Sequence, residues 1–170
     1  MVPSPDRVDR VRAYVGVGSN LDDPARHVRE AMDALDALPD TRVAARASLY
    51  RSAPVGRLDQ PDFVNSVAAL DTALPPGKLL DALLAIEARH GRVRSERNAP
   101  RTLDLDLLLY GDRRSGDASL TLPHPRLHER AFVLLPLAEI DAEVHVPGQG
   151  RVCELLPGVA DQRVARLQEN

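Results

Sequence analysis

Strand and helix periodicities follow one another along the first 110 residues in the order strand, helix, strand, strand, helix, strand, and few compact folds accept that order. Residues 12–18, Arg-Ala-Tyr-Val-Gly-Val-Gly, read as a short strand broken by the turn signal Gly18-Ser19-Asn20. A helix follows: Asp22 or Asp23 can cap it, Pro24 suits its first turn, and Val28, Ala31, Met32, Leu35 and Leu38 recur at helical spacing until Pro39. Residues 41–52 and 63–72 are rich in β-formers and flank a loop, 53–62, holding two prolines and a glycine, so they are expected to pair as an antiparallel hairpin. Leu79, Leu80, Leu83, Leu84 and Ile86 mark a second amphipathic helix that ends near Gly91, a residue suited to a left-handed position after the helix. A Leu-rich strand over 101–110 completes the set.

This order is that of a ferredoxin-like α+β sandwich, in which two helices cover one face of an antiparallel sheet. The other face is left for something else. Residues 121–170 offer a helix from Arg126 to about Ile140, an extended segment at 144–146 and a short C-terminal helix that could cover sheet edges.

Size and composition agree with one self-sufficient unit. A chain of 170 residues with 44% hydrophobic and 28% charged residues can bury a single core, so residues 1–170 are expected to form one domain, with 1–11 as a flexible extension. Cys153 stands alone, which excludes an intramolecular disulfide and suits a reducing compartment. The first residues carry Pro3, Pro5, Asp6, Arg7 and Asp9 in place of an apolar signal run, and no stretch reaches the ~18 apolar residues of a membrane span. A cytoplasmic monomer without a membrane partner is the expectation, and a net charge of −3 argues against a general nucleic-acid binder.

The chemistry concentrates in Arg101-Thr-Leu-Asp-Leu-Asp-Leu-Leu-Leu-Tyr110, where Leu103, Leu105 and Leu107 alternate with Asp104 and Asp106. On a strand, residues two apart project to the same face about 6.5–7 Å apart, so the two carboxylates converge; on a helix the spacing would separate them. Paired carboxylates repel, and a hard divalent cation such as Mg²⁺ relieves that cost. A solvated polar strand face accounts for the same pattern.

The segment just before this strand sharpens the reading. Arg makes up nearly all of the basic residues, with Lys78 the single lysine, so isolated arginines carry little weight. Even so, Arg89, Arg92, Arg94, Arg97 and Arg101 fall within 13 residues, well above the chain's own Arg frequency. Planar guanidinium forks suit phosphate, and a cationic loop leading into an acidic strand is what a polyphosphate–Mg²⁺ substrate requires. A third element, Pro123-His-Pro-Arg-Leu-His-Glu-Arg-Ala-Phe132, places His and Arg around a helix start, where an anion can also bind.

Taken together these residues resemble the 6-hydroxymethyl-7,8-dihydropterin pyrophosphokinase family of folate biosynthesis. The match is collinear through Gly16-Val-Gly-Ser-Asn20, Leu49-Tyr-Arg-Ser52, Asp59-Gln-Pro-Asp-Phe-Val-Asn65, Ile86-Glu87, Gly91-Arg-Val-Arg94, Pro100-Arg-Thr-Leu-Asp-Leu-Asp106 and the Pro123 to Phe132 segment. The resemblance implies a ferredoxin-like fold and transfer of pyrophosphate from ATP to the pterin hydroxymethyl oxygen, with AMP released.

It further implies two Mg²⁺ ions on Asp104 and Asp106, ATP contacts from Glu87, Arg92, Arg101, His124 and Arg130, and catalytic roles for Arg92, Arg94, Arg97 and Arg101. The pterin would meet Ser52, Ala53, Val55, Phe63, Asn65 and Phe132. Stacking between two aromatic rings and an amide at the ring edge suit a flat heteroaromatic, although core packing is the more ordinary reading of Phe63 and Phe132 on sequence alone. Asn98 stands where many members carry Trp, and the loop is about one residue shorter, from which slower or looser lid closure is expected.

Two other classes use parts of this pattern. Nucleotide-sugar transferases carry an Asp-x-Asp metal site but usually need a larger α/β domain. RNA-binding ferredoxin-like modules use an open sheet face with aromatics on the central strands, where this chain offers Asp104 and Asp106.

Overall fold

The strand expected at 12–18 is β1 (Val11–Ser19), whose residues Ala13, Val15 and Val17 point to one face and Tyr14, Gly16 and Gly18 to the other. The computed structural model describes residues 9–21, 23–54, 59–91 and 103–168. The expected N-terminal extension, 1–11, lies outside them for its first eight residues, and β1 begins within its last.

The helix after β1 is α1 (Pro24–Asp36). Asp23 occupies its N-cap but makes no side-chain cap hydrogen bond; its backbone sits at φ 64°, and only its carbonyl serves the helix, accepting from the Arg26 and His27 amides. The left-handed backbone turns the carboxylate away from the amides it was expected to cap. Asp22 lies outside the described residues.

The run 41–52 forms two strands, β2 (Thr41–Arg46) and β3 (Tyr50–Ser52), both antiparallel to β4 (Phe63–Thr72). The break between them is bridged by Ser66, whose hydroxyl lies 3.1 Å and 3.0 Å from the Ala47 and Ser48 carbonyls. The hairpin is therefore as expected, with its first arm interrupted by a local irregularity.

Helix α2 (Pro76–Arg89) ends at His90, and Gly91 follows at φ +75°, a left-handed position glycine adopts without steric cost. The acidic strand is β5 (Asp104–Tyr110), shorter than the expected 101–110; Leu103 is described as non-strand, and 101–102 lie outside the described residues.

Neighbouring strands run antiparallel in the order β3, β4, β1, β5, with β2 alongside β4. That is the sheet of a ferredoxin-like sandwich. Helices α1 and α2 cover one face, where Leu35, Leu79, Leu83, Ile86, Leu103 and Leu70 are fully buried. Each such side chain contributes roughly 1.5–3 kcal/mol on leaving water.

The other face is not open. Helix α3 (Ala131–Asp141) packs Val133, Leu134 and Leu137 against Tyr14, Val67, Ala69, Leu108 and Leu109. It starts later than expected: residues 127–129 form a single 3₁₀ turn, and Arg130 is the extended residue before the helix. The broad stacking platform that an RNA-binding module needs is thus occupied by α3 over much of its area.

Short pairs β6 (Ser115–Asp117) with β7 (Leu120–Leu122), and β8 (His145–Val146) with β9 (Gly150–Arg151), lie outside the main sheet. The chain end holds the short helix α4 (Val152–Leu155), and then a strand, β10 (Val164–Arg166), that extends the sheet at β3. That last strand was not legible in the sequence, because its partner is more than a hundred residues away.

Candidate active site

The cleft forms where α3 leaves the sheet uncovered. Gly18 pairs with Asn65 on one side and Asp104 on the other, and Gly16 pairs with Val67 and Asp106. These residues share a sheet face, and the two glycines give the floor no side chains. A methyl group at Gly18 would lie 3.1 Å from Asn65 Oδ1, and one at Gly16 would touch the Leu108 side chain at 3.5 Å. The result is a cleft of about 250 Å³ with Asp104 and Asp106 at one wall and Asn65 and Ser52 at the other.

The wall on the β3 and β4 side is polar and preset. Asn65 and Ser52 are buried, and the Asn65 amide donates to Ser52 Oγ at 2.7 Å, which orients the amide toward the cleft floor. Gln60 and Asn20 are buried as well; the Asn20 amide donates to Gln60 Oε1 at 2.7 Å and to the Pro61 carbonyl at 3.0 Å, tying the loop before β4 to the end of β1.

Two aromatic rings flank the opening. Phe63 begins β4, and Phe132 sits in the first turn of α3; both line the cleft and neither is fully buried. Phe132 also packs against the apolar cluster beneath α3, so core packing accounts for part of that ring, while both rings keep surface open to the cleft. The Arg130 guanidinium lies 5.4 Å from the Phe132 ring centre, within cation–π range, and Arg126 lines the same cleft.

Asp104 and Asp106 alternate with Leu105 and Leu107, which are buried under α2. This burial holds the strand in register and fixes both carboxylates on the cleft side. Two carboxylate groups on one rigid strand are a hard-oxygen donor set that fits Mg²⁺, with solvent and phosphate oxygens completing its shell.

Helix α3 is held over the sheet from its far end. The Tyr14 hydroxyl donates to Asp141 at 2.7 Å and the Tyr50 hydroxyl to Glu139 at 2.6 Å; Glu139 also accepts the Ser48 amide at 2.8 Å. Burial, followed by these hydrogen bonds, pushes both phenols up to about 12. The bonds to Tyr50 and Ser48 hold the Glu139 carboxyl below its ordinary range, outweighing the opposing effect of burial.

The pattern matches a known family over most of its length. Residues 14–142 fit the family of 7,8-dihydro-6-hydroxymethylpterin-pyrophosphokinase. The chain belongs to this family. A 2-amino-4-hydroxy-6-hydroxymethyldihydropteridine pyrophosphokinase from Pseudomonas aeruginosa is 48% identical over 156 residues, spanning 92% of this chain and 96% of the relative. The enzyme of the same name from Haemophilus influenzae is 43% identical, with 92% and 98% covered. Among solved structures, Plasmodium falciparum HPPK-DHPS with pterin and p-hydroxybenzoate matches the fold at a TM-score of 0.67 and 14% identity; 89% of this chain aligns, spanning 43% of that one.

Within this pyrophosphokinase the cleft brings together Ser52, Ala53, Phe63, Asn65, Asp104, Asp106, Arg130 and Phe132, all singled out from the sequence. His124 stands apart, lining a second cleft with Arg114 and His128. Burial and the nearby Arg130 keep its imidazole below the ordinary pKa, against the opposing effect of Asp104. Val55, Arg92, Arg94, Arg97, Arg101 and Asn98 lie outside the described residues.

Glu87, expected to hold nucleotide, is 2% exposed, and its carboxylate accepts the Leu105 amide at 2.8 Å. It ties α2 to the strand segment between the two aspartates. Sequence reasoning met Gly16 and Gly18 only as part of a strand and a matching motif, and Arg126 only as one of several basic residues around a helix start, and assigned none of them a role in the cleft. Alternate glycines inside a strand were the available signal, since they weaken a strand unless something must approach it closely.

Proposed function

We propose that the cleft over Gly16 and Gly18 is where the hydroxymethyl oxygen of 6-hydroxymethyl-7,8-dihydropterin meets the β-phosphorus of ATP. The enzyme transfers pyrophosphate from ATP to this hydroxymethyl group in folate biosynthesis. One observation carries the placement: two carboxylates, two partly exposed aromatic rings and a preset amide open into a single cleft floored by glycine.

The pterin ring stacks between Phe63 and Phe132, and its edge meets the Asn65 amide, whose second N–H and carbonyl oxygen remain to donate and accept. Ser52 acts through Asn65 by fixing that amide, Ala53 lines the same cleft, and Val55 is assigned to the pterin by the family resemblance alone. Asp104 and Asp106 would hold Mg²⁺, two ions in all, which would supply positive charge to the phosphates and help orient them for an in-line displacement. Arg130, held against Phe132, faces the phosphate side of the cleft, while His124, kept neutral, can donate one N–H to a phosphate oxygen.

Arg92, Arg94, Arg97 and Arg101 supply further positive charge for the triphosphate. In the transfer the hydroxymethyl oxygen bonds to the β-phosphorus, the bond from the β-phosphorus to the bridging oxygen of AMP breaks, and the hydroxyl proton leaves to solvent. A monomer is sufficient for this reading, which calls on the groups of one chain only.

Incubation with ATP, Mg²⁺ and the reduced pterin tests this directly: AMP and the pterin diphosphate should form together in equal amounts. Release of ADP, or of no nucleotide product, would overturn it.

A further inference from the structure

On the opposite side of the sheet, α1 and the end of α2 bring together three groups that take no part in pyrophosphoryl transfer. His27 and Glu30 lie one turn apart on α1, and His90 caps α2. His27 Nδ1 is 2.9 Å from His90 Nδ1, and His90 Nδ1 is 4.0 Å from Glu30 Oε2. One ligand atom from each of the three lies within 4.8 Å of the others.

We propose that His27, His90 and Glu30 form a binding site for a single divalent transition-metal ion of the zinc class, separate from the Asp104 and Asp106 pair. The donor chemistry selects the ion: two imidazole nitrogens and one carboxylate suit Zn²⁺ or Co²⁺, whereas Mg²⁺ takes oxygen donors. Zn–N and Zn–O bonds of about 2.0–2.2 Å place tetrahedral ligands about 3.3–3.6 Å apart. The observed 2.9 Å must therefore widen by a few tenths of an ångström through small turns of the two rings, and the Glu30 carboxylate must move in to shorten its 4.0 Å separation from His90 and its separation, within 4.8 Å, from His27.

As it stands the pair is a poor core contact. The rings meet edge to face at 69°, His27 is 8% exposed, and its Nε2 is buried with no hydrogen-bond partner. An ion at the two Nδ1 atoms would replace that single His–His hydrogen bond, while His27 Nε2 is not among the proposed ligands and keeps no partner in either state. Access is from the Glu30 side, which is 47% exposed; Arg26 approaches the other Glu30 oxygen at 3.5 Å, an exposed contact that a metal can displace. Three protein ligands leave a fourth position for water or a small anion.

The test uses tag-free, metal-stripped full-length protein without nucleotide, titrated with Zn²⁺ against a chromophoric chelator and with Co²⁺ by visible absorption. One equivalent should bind, Co²⁺ should show the intense band of a tetrahedral site, and NMR should show two of the five histidines shifting. Asp104→Asn/Asp106→Asn should bind equally, while His90→Gln and Glu30→Gln should each weaken binding at least tenfold. Absence of stoichiometric binding in the wild type, an octahedral Co²⁺ spectrum, or loss of binding in the aspartate double variant would overturn the proposal. Binding undiminished in His90→Gln would do the same. The NMR and Co²⁺ readouts on wild-type protein decide the matter even if a variant folds poorly.

Discussion

Asp104 faces Gly18 directly across the β1–β5 pair, so the carboxylate borders a space that any other residue at position 18 would begin to fill. On the far side of the same glycine stands Asn65, whose Oδ1 would be 3.1 Å from an added methyl. Gly18→Ala should push the Asn65 amide against its bond to Ser52 and weaken pterin binding about tenfold, with ATP binding retained. Calorimetric titration of each substrate reads this; unchanged pterin affinity would mean that the amide does not meet the pterin.

Asp104→Asn and Asp106→Asn each remove one charge of the proposed metal pair from a strand whose other face is buried in the core. Turnover should fall about a thousandfold or more, with the melting temperature within a few degrees of wild type. Near-normal rates in both would contradict the metal assignment.

Glu87 is both a fold anchor and a position expected to act on nucleotide, and two variants separate the roles. Glu87→Ala leaves the buried Leu105 amide without its acceptor and should lower stability by about 1–3 kcal/mol. Glu87→Gln keeps an acceptor oxygen and should retain most of that stability and the affinity for ATP. Lost ATP affinity in Glu87→Gln at an unchanged melting temperature would assign the side chain to the nucleotide.

Alkaline pH should loosen α3. Tyr14 and Tyr50 are pushed up to about 12 in the folded chain, against about 10 when unfolded. A raised folded pKa favours the native state fully below the unfolded value, and this contribution is lost as pH climbs from about 10 to 12. Urea unfolding at stepped pH should show that decline, and a Tyr14→Phe/Tyr50→Phe variant should flatten it. Lys78 is the only lysine, so lysine titration contributes little to the same range.

The order of elements and the two carboxylates on one strand face were readable from residues 12–110, because each rests on a period of two or 3.6, whereas the aromatic and amide residues of the cleft came only from the family resemblance. Periodicity says which face a residue shares with its neighbours. It says nothing about what lies opposite.

Hence tertiary structure alone decided that α3 closes the second sheet face, that Glu87 turns inward to Leu105 and that β10 finishes the sheet beside β3. The same holds for His27 and His90, 63 positions apart in sequence and 2.9 Å apart in space. Contacts of this kind follow from how whole layers of side chains pack, an outcome of volume and burial across the entire chain that no local pattern carries.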